Sequence, residues 1–377
     1  MRGNLLLFTP SLDRTGSEIV FVNFLLYSGI EQFYTIKLVS LKRGALIDKI
    51  QSKCEIVVYE DFYAQQAKVI QKIKHKFEKN KDYQLIFYDR VFSDFSPDVV
   101  YINGLNVANT KLLSYLLNAR FSKEKIVLYS HETFVALNSI DSLYIDLVKS
   151  TVGKFMACSL TSAHMLKVLF CYEPTISYPG IDASEIDSHC DNTGIFNLDD
   201  LSNDQKVWAM SGYSDFNKDP IFFIQLYKEL LKRNHKVYFI WLGANNSSGF
   251  TQYCKALIRS QGLPNIKLME NLPPAEYYSL LRRIDGFVLT SFYDSFPTVM
   301  LEAAYLGKPI VSHDSGGAGE FLRENGKELV CSKTISEYAD KIESYNKNDK
   351  ESYNISEYIM PLAAEKWVQS FNRLIEA

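Results

Sequence analysis

Two carboxylates flank the start of a predicted helix late in the sequence. Asp294 lies just before this helix, which we expect over about 298–306, and Glu302 lies one turn inside it. The free N–H groups at a helix start, here near Ser295, bind anions, whereas carboxylates accept hydrogen bonds from hydroxyl groups. A sugar carried on a diphosphate would satisfy both. The simpler alternatives are a solvated Glu302 and an Asp294 that only caps the helix.

Two other residues have types and positions that suit a ligand site. His131 follows a predicted strand, and the carboxyl ends of parallel strands are where α/β folds bind ligands. Its alternative is a core histidine bonded to backbone. Lys218 would be an ordinary surface lysine if it did not stand six residues after Gly212, where another strand is predicted to end.

Short apolar runs alternate with amphipathic stretches along the chain, a pattern typical of βα units around a parallel sheet. The predicted strands are 5–8, 35–40, 99–103, 126–130, 155–158, 207–211, 237–243, 266–269, 287–290 and 309–312. The predicted helices include 17–27, 109–117, 142–149, 161–169, 220–232 and 365–375. The sequence therefore predicts an α/β protein.

The strand series is interrupted once, which predicts two Rossmann-like, doubly wound domains facing a cleft. The first domain covers 1–182, and a polar, acidic linker covers 183–205. The second domain covers 206–360. A C-terminal helix follows over 361–377, with a return to the first domain left open.

Composition excludes several classes of protein. The 377 residues are 47% hydrophobic and 23% charged, as in globular proteins, and the net charge of −3 gives no overall attraction to nucleic acid. The six cysteines form no CxxC pair, so we expect neither a disulfide framework nor a zinc site. The apolar run 5–8 is too short for a signal peptide or a membrane span. We therefore expect a cytoplasmic protein.

Asp294-x7-Glu302, followed by Ala-Ala-x-x-Gly-Lys-Pro-Ile-Val, resembles the Glu-x7-Glu element of the retaining family-4 glycosyltransferases. Five further segments resemble elements of that family in the same order: Thr15-Gly-Ser-Glu18, Tyr129-Ser-His-Glu132, Tyr178-Pro-Gly-Ile-Asp182, Gly212-x5-Lys218 and Ser315-Gly-Gly-Ala-Gly-Glu320. The resemblance extends from residue 15 to about residue 330. It implies the GT-B fold and transfer of a hexose, with retention of configuration, from a nucleotide diphosphate sugar.

The resemblance also implies roles for particular residues. His131, Lys218 and Asp294 are the catalytic candidates: Lys218 would stabilise charge on the leaving phosphate, Asp294 would bind donor-sugar hydroxyls, and His131 would lie near the transferring sugar. Glu302 would hold the ribose. The remaining donor-binding candidates are Gly16, Gly212, Ser295, Phe296, Pro297 and Thr298. No metal ion and no further cofactor are implied, and the chain has no Asp-x-Asp motif of the kind that holds a divalent metal.

The implied partners are a nucleotide-sugar donor, with a UDP-sugar preferred, and a glycan or lipid-linked acceptor in bacterial polysaccharide or lipopolysaccharide assembly. Three residues depart from the usual family pattern: Tyr213 stands where many members carry an arginine, Asp294 is shorter than the usual glutamate, and Pro297 lacks an N–H, although a Phe-Pro variant occurs in the family. Two alternatives remain, namely a nucleotide-sugar 2-epimerase of similar shape and a catalytically silent glycosyltransferase-like subunit.

One lysine-rich segment, 68–81, carries an apolar stripe at helical spacing. Such a helix can dock on the anionic cytoplasmic face of the inner membrane. The alternative is a crossover helix whose apolar face packs on its own sheet and whose lysines face water.

Overall fold

The computed structural model describes residues 3–72, 82–189 and 204–376. The chain forms two compact units. The first comprises Met1–Gly180 together with Met360–Ala377, and the second comprises Ile181–Ile359.

The first unit is built on a parallel sheet in which the order is β3-β2-β1-β4-β5-β6-β7. Its described strands are β1 (Gly3–Thr9), β2 (Tyr34–Ser40), β3 (Glu55–Val58), β4 (Val99–Asn103), β5 (Ile126–Ser130), β6 (Lys154–Ala157) and β7 (Thr175–Ile176). The central strand β1 pairs with β2 and β4, and Leu5–Phe8 within it are completely buried. The continuous apolar runs of the sequence are explained by this burial on both faces of the sheet.

Helices connect these strands as crossovers: α1 (Gly16–Tyr27), α2 (Ile47–Ile50), α3 (Tyr59–Lys72), α4 (Tyr83–Phe95), α5 (Thr110–Asn118), α6 (Ser142–Thr151) and α7 (Leu160–Phe170). Short 3-10 helices lie at Ile30–Gln32, Lys123–Lys125 and Phe134–Ser139. Asp82, Asn109, Asp141 and Ser159 each cap the start of the helix that follows, because their side chains accept backbone N–H groups of its first turn.

The second unit contains the parallel sheet β10-β9-β8-β11-β12. Its described strands are β8 (Lys206–Ser211), β9 (Val237–Leu242), β10 (Ile266–Met269), β11 (Gly286–Leu289) and β12 (Ile310–Ser312). Its described helices are α8 (Ala183–His189), α9 (Pro220–Lys232), α10 (Gly249–Ser260), α11 (Pro274–Arg283), α12 (Thr298–Tyr305), α13 (Gly317–Glu324) and α14 (Ile335–Glu343), with a 3-10 turn at Ser356–Tyr358. The core contains fully buried aromatic residues such as Trp208 and Trp241.

The C-terminal helix, α15 (Leu362–Glu376), belongs to the first unit. Trp367 is completely buried and stacks on Phe24 of α1, with ring centroids 5.2 Å apart. The buried Lys154 of β6 donates to the carbonyl oxygen of Leu374 in the last turn of α15, where the helix dipole favours a cation. The chain thus returns to the first unit after completing the second.

The structure contains most of the predicted elements with ends within a few residues of those expected. Residues 183–205, predicted to be a linker, contain helix α8, which packs on α11 of the second unit. This helix begins at a polar, acidic sequence in which apolar periodicity is weak, so the sequence did not reveal it. Within the proposed membrane segment 68–81, the structure describes only the backbone to Lys72, and the predicted lysine-rich face lies outside the described residues.

Within the described parts of the chain, no helix is both long and apolar enough to cross a membrane. Cys54, Cys158, Cys171, Cys254 and Cys331 are free thiols.

Candidate functional site

Gly212 and Lys218 lie on the loop that follows β8. Gly212 has a φ of 154°, which favours glycine, and a Cβ there would lie 3.0–3.1 Å from three carbons of the Lys218 side chain. The lysine stem therefore occupies the space that a side chain at residue 212 would need. This contact explains the Gly-x5-Lys spacing physically, since a side chain at 212 would crowd the lysine stem and shift it by a few tenths of an ångström.

The Lys218 ammonium forms an ion pair with Asp294. The Nζ atom lies 2.5 Å from Asp294 Oδ2, and the two side chains are only 20% and 13% exposed. The Ser291 hydroxyl donates to the same carboxylate oxygen over 3.0 Å. The structure thus brings together two of the three predicted catalytic residues as an ion pair in which the two charges neutralise each other.

Asn217 joins the loop after β8 to the loop after β11. Its side-chain amide donates to the Tyr293 carbonyl oxygen over 2.7 Å and accepts the Tyr293 N–H over 3.0 Å. The Thr290 hydroxyl also donates to the Lys218 carbonyl oxygen over 2.6 Å. These bonds hold the backbone of Lys218 close to the backbone next to Asp294, and so they fix the relative positions of the two charged residues.

A glycine-rich turn holds Asp294 from the other side. The Asp294 N–H donates to the Ser315 carbonyl oxygen over 2.7 Å, and the Gly317 N–H donates to the Asp294 carbonyl oxygen over 2.9 Å. A Cβ at Gly317 would lie 2.0 Å from the Ser295 carbonyl oxygen, so this approach requires glycine. The Gly-Gly of the sequence therefore serves close packing of α13 on the carboxylate loop.

The start of α12 has no side-chain cap. Pro297 is the capping residue and offers neither an N–H nor a side-chain acceptor, while Ser295 and Thr298 are partly exposed. Phe296 is buried and stacks on Tyr358 with centroids 5.5 Å apart, so only its backbone can serve a ligand. Asp294 does not cap this helix, and that alternative reading of the sequence is wrong.

Glu302 is buried on α12 and is held by two tyrosines of α11. The Tyr277 hydroxyl donates to Oε2 over 2.7 Å and the Tyr278 hydroxyl donates to Oε1 over 3.2 Å. Burial, with the nearby Glu302 charge, raises the pKa of Tyr277 well above its usual range. Glu302 is 9% exposed, so the solvated alternative is wrong.

In the first unit, His131 follows β5 and bonds to a side chain rather than to backbone. Its Nε2 lies 2.9 Å from Oδ1 of Asn103, the last residue of β4. Its ring meets the buried Tyr129 ring edge-on, with centroids 4.3 Å apart. Desolvation lowers the pKa of His131 to about 3, so the imidazole is neutral at pH 7.

Glu132 supports the turn that carries His131. Its carboxylate accepts hydrogen bonds from the Ser130 hydroxyl (2.9 Å) and from the N–H groups of His131 (3.0 Å) and Asn106 (3.3 Å). Burial raises the pKa of Glu132, while these bonds act in the opposite direction. The carboxylate is thus used internally to shape the loop.

Gly16 begins helix α1 and is exposed. The preceding Thr15 makes no side-chain capping bond, and the acid of the first turn, Glu18, is buried. Glu18 accepts from the Ser17 hydroxyl over 2.7 Å, and burial raises its pKa. Thr15 therefore leaves this helix start without an N-cap side chain, while the Glu18 carboxylate accepts its own backbone N–H.

Sequence reasoning did not identify Asn217, Ser291, Tyr277 or Asn103 as site residues. Tyr277 and Asn103 bond to predicted residues that are 25 and 28 positions away, and Asn217 bonds to Tyr293, 76 positions away, so only the fold reveals these contacts. Ser291 lies three residues before Asp294. Among residues 3–72, 82–189 and 204–376, no group of three or more His, Cys, Asp or Glu side chains is arranged to hold a metal ion.

Comparison with known proteins places these features among related folds. Residues 195–360 match the family described as Glycosyl transferases group 1. No curated protein sequence matches the chain.

Three solved structures are similar over nearly the whole length. Anabaena Alr3699/HepE in complex with UDP-glucose has 15% identity and a TM-score of 0.68, and the match covers 99% of this chain and 96% of that one. A glycosyltransferase from Rickettsia africae has 13% identity and a TM-score of 0.65, with coverage of 100% and 96%. WaaG, a glycosyltransferase involved in lipopolysaccharide biosynthesis, has 12% identity and a TM-score of 0.64, with coverage of 99% and 93%. The predicted GT-B fold is confirmed by these likenesses.

Proposed function

We propose that this chain is a glycosyltransferase that transfers a hexose from a nucleotide diphosphate sugar, with a UDP-sugar as the preferred donor. The Lys218–Asp294 ion pair, whose aspartate lies four residues before the start of α12, carries the proposal. It combines a cation for phosphate with a carboxylate for hydroxyl groups. The group 1 match over 195–360 and the UDP-glucose complex of Alr3699/HepE support the same donor class.

In the proposed reaction, the donor diphosphate replaces Asp294 as the partner of Lys218. The ammonium then stabilises the negative charge that develops on the β-phosphate as the bond between the sugar C1 and the phosphate oxygen breaks. Asp294, released from the ion pair, accepts hydrogen bonds from sugar hydroxyls. Glu302 accepts from the ribose hydroxyls, and the N–H groups near Ser295 and Thr298 bind phosphate oxygens.

We propose transfer with retention of configuration, through an oxocarbenium-like transition state. The acceptor hydroxyl forms the new bond to C1 while the leaving phosphate takes its proton, so no protein nucleophile is needed. We propose no metal ion, because Lys218 and a helix start supply the positive charge. The proposed acceptor is a glycan or a lipid-linked oligosaccharide of a bacterial surface polysaccharide, the class of pathway in which WaaG acts.

A thermal-shift screen with UDP, GDP, ADP, CMP and dTDP, in EDTA, tests the donor class. A nucleotide at 100 times its Kd stabilises the native state by about 2.7 kcal/mol, which is easily detected. We expect UDP to raise the Tm without metal. Transfer products analysed by NMR then report the anomeric configuration, and incubation of the donor alone reports epimerisation.

Matched variants locate the binding site. Glu302→Gln should abolish the UDP-dependent shift. Glu324→Gln is the control, because Glu324 is also held by a tyrosine hydroxyl, that of Tyr358 at 2.9 Å, but outside the proposed site. If no nucleotide raises the Tm of the wild type, the proposal is wrong and a silent subunit is the better description.

A further inference from the structure

Side chains at the carboxyl ends of β1, β4 and β5 form a chain of hydrogen bonds that ends on His131. The Thr9 hydroxyl donates to the Ser11 carbonyl oxygen over 3.3 Å. The Asn103 amide nitrogen donates to Thr9 Oγ1 over 3.4 Å, and Asn103 Oδ1 lies 2.9 Å from His131 Nε2. A backbone carbonyl only accepts hydrogen bonds, so the Ser11 oxygen sets the direction of the whole chain.

We propose that Asn103 is a positioning residue that holds His131 as the neutral tautomer with its proton on Nε2. The Asn103 oxygen has no proton to give, so His131 Nε2–H must be the donor in the 2.9 Å bond. Nδ1 then keeps its lone pair. The imidazole consequently presents a hydrogen-bond acceptor, and not a donor, to any ligand that reaches Nδ1.

The opposite arrangement would break a bond that the structure contains. If the Asn103 amide were reversed, its NH2 group would face His131 and would require the proton on Nδ1. Thr9 would then have to donate to Asn103 Oδ1, and the Ser11 carbonyl oxygen would lose its hydroxyl donor. The two arrangements demand opposite tautomers, so the proposal can be decided by locating one proton.

The consequence for transfer rests on the proposed function. Positive charge develops on the sugar in an oxocarbenium-like transition state. A neutral acceptor nitrogen can bind a sugar hydroxyl without repelling that charge, whereas an imidazolium would repel it. The titratable groups beside the ring are Tyr129, whose pKa burial raises well above its usual range, and Glu132, whose carboxylate is bound to backbone N–H groups.

Nitrogen-15 NMR of the free protein tests the tautomer directly. The chain has six histidines, and the His131 signals are assigned by their loss in His131→Gln. Long-range proton–nitrogen correlation at pH 7 should show an unprotonated Nδ1 and a protonated Nε2 for His131. A protonated Nδ1, either in the opposite tautomer or in the imidazolium, would overturn the proposal.

Asn103→Asp supplies a second, functional readout. A carboxylate beside Nε2–H stabilises the imidazolium and raises the pKa of His131. We expect the NMR titration to move upward and kcat, relative to wild type, to fall about tenfold for each pH unit below the new pKa. Asn109→Asp is the control: Asn109 caps α5 by accepting the Leu112 N–H over 3.0 Å, a role that aspartate also fills.

The outcomes separate this proposal from the proposed function. An unchanged His131 titration in Asn103→Asp contradicts the positioning role, whatever the activity. Conversely, an Nε2–H tautomer in a protein that no nucleotide stabilises would support the assignment of Asn103 and reject the transferase.

Discussion

Replacing Lys218 with methionine tests the centre of the proposed mechanism. Methionine keeps an unbranched stem in the space beside Gly212 but removes the charge. If Lys218 stabilises the leaving phosphate, kcat should fall by about 10²–10³-fold, equivalent to about 2.7–4 kcal/mol, as for loss of one preorganised donor. Nucleotide affinity should fall as well, because the bound product keeps the same phosphate.

The same change should destabilise the second unit, because Asp294 loses its counter-ion while only 13% of its side chain is exposed. Breaking a fully buried ion pair costs about 3–5 kcal/mol, and an exposed pair contributes about 0.2–1 kcal/mol. The partial exposure of this pair and the remaining Ser291 hydroxyl bond place the cost between these limits, at about 2 kcal/mol. For a unit of this size that corresponds to a decrease in Tm of about 4–8 °C.

The two effects are separated by the double variant Lys218→Met with Asp294→Asn. Neither charge is then unpaired, so most of the lost Tm should return while kcat remains low. Lys232→Met, which removes an exposed partner of Glu229, is the control and should change neither quantity measurably. If Lys218→Met lowers the Tm but leaves kcat within threefold of wild type, the ion pair is only structural and the phosphate role is refuted.

Two further substitutions test the contact between Gly212 and Lys218 and the charge state of His131. Gly212→Ala should lower kcat by tenfold or more, because its Cβ would shift Lys218 and a small misplacement of a catalytic group slows the reaction strongly. Gly249→Ala is the control in the same kinetic assay, because nothing lies within 4 Å of the added Cβ. His131→Gln should reduce the loss of stability in acid. The pKa of His131 is lowered to about 3, so the contribution of the neutral imidazole to the free energy of unfolding is fully present above pH 6.5 and is lost as the pH falls toward 3. Urea unfolding at pH 7 and pH 5 should show wild type losing up to about 1.4 kcal/mol more than the variant per pH unit, and equal losses would contradict a neutral native histidine.

The sequence predicted the elements and the spacing motifs well, because both depend on local patterns. Apolar runs such as 5–8 predicted buried strands correctly. The Gly212–Lys218 spacing corresponds in the structure to close packing of the lysine side chain on the glycine backbone. What it did not predict are partners that only the sheet order brings together. Asn103 and His131 are 28 residues apart, and Asn217 and Tyr293 are 76 apart. Asparagine is common in turns, so nothing in its local sequence distinguishes these two from ordinary loop residues.

The pairing of Lys218 with Asp294 also changes how their motif is interpreted. Considered separately, a lysine for phosphate and an aspartate for sugar suggest two independent contacts. In the structure each residue is the other's counter-ion. Binding of the donor must therefore replace Asp294 by a phosphate as the ionic partner of Lys218, because neither charge is unpaired beforehand. A neutral sugar without its diphosphate offers Lys218 no replacement for the carboxylate, and breaking the pair would leave the ammonium uncompensated. The geometry therefore predicts that free hexose binds poorly in the absence of nucleotide and that nucleotide binding comes first, an order that calorimetric titration of hexose with and without UDP can measure.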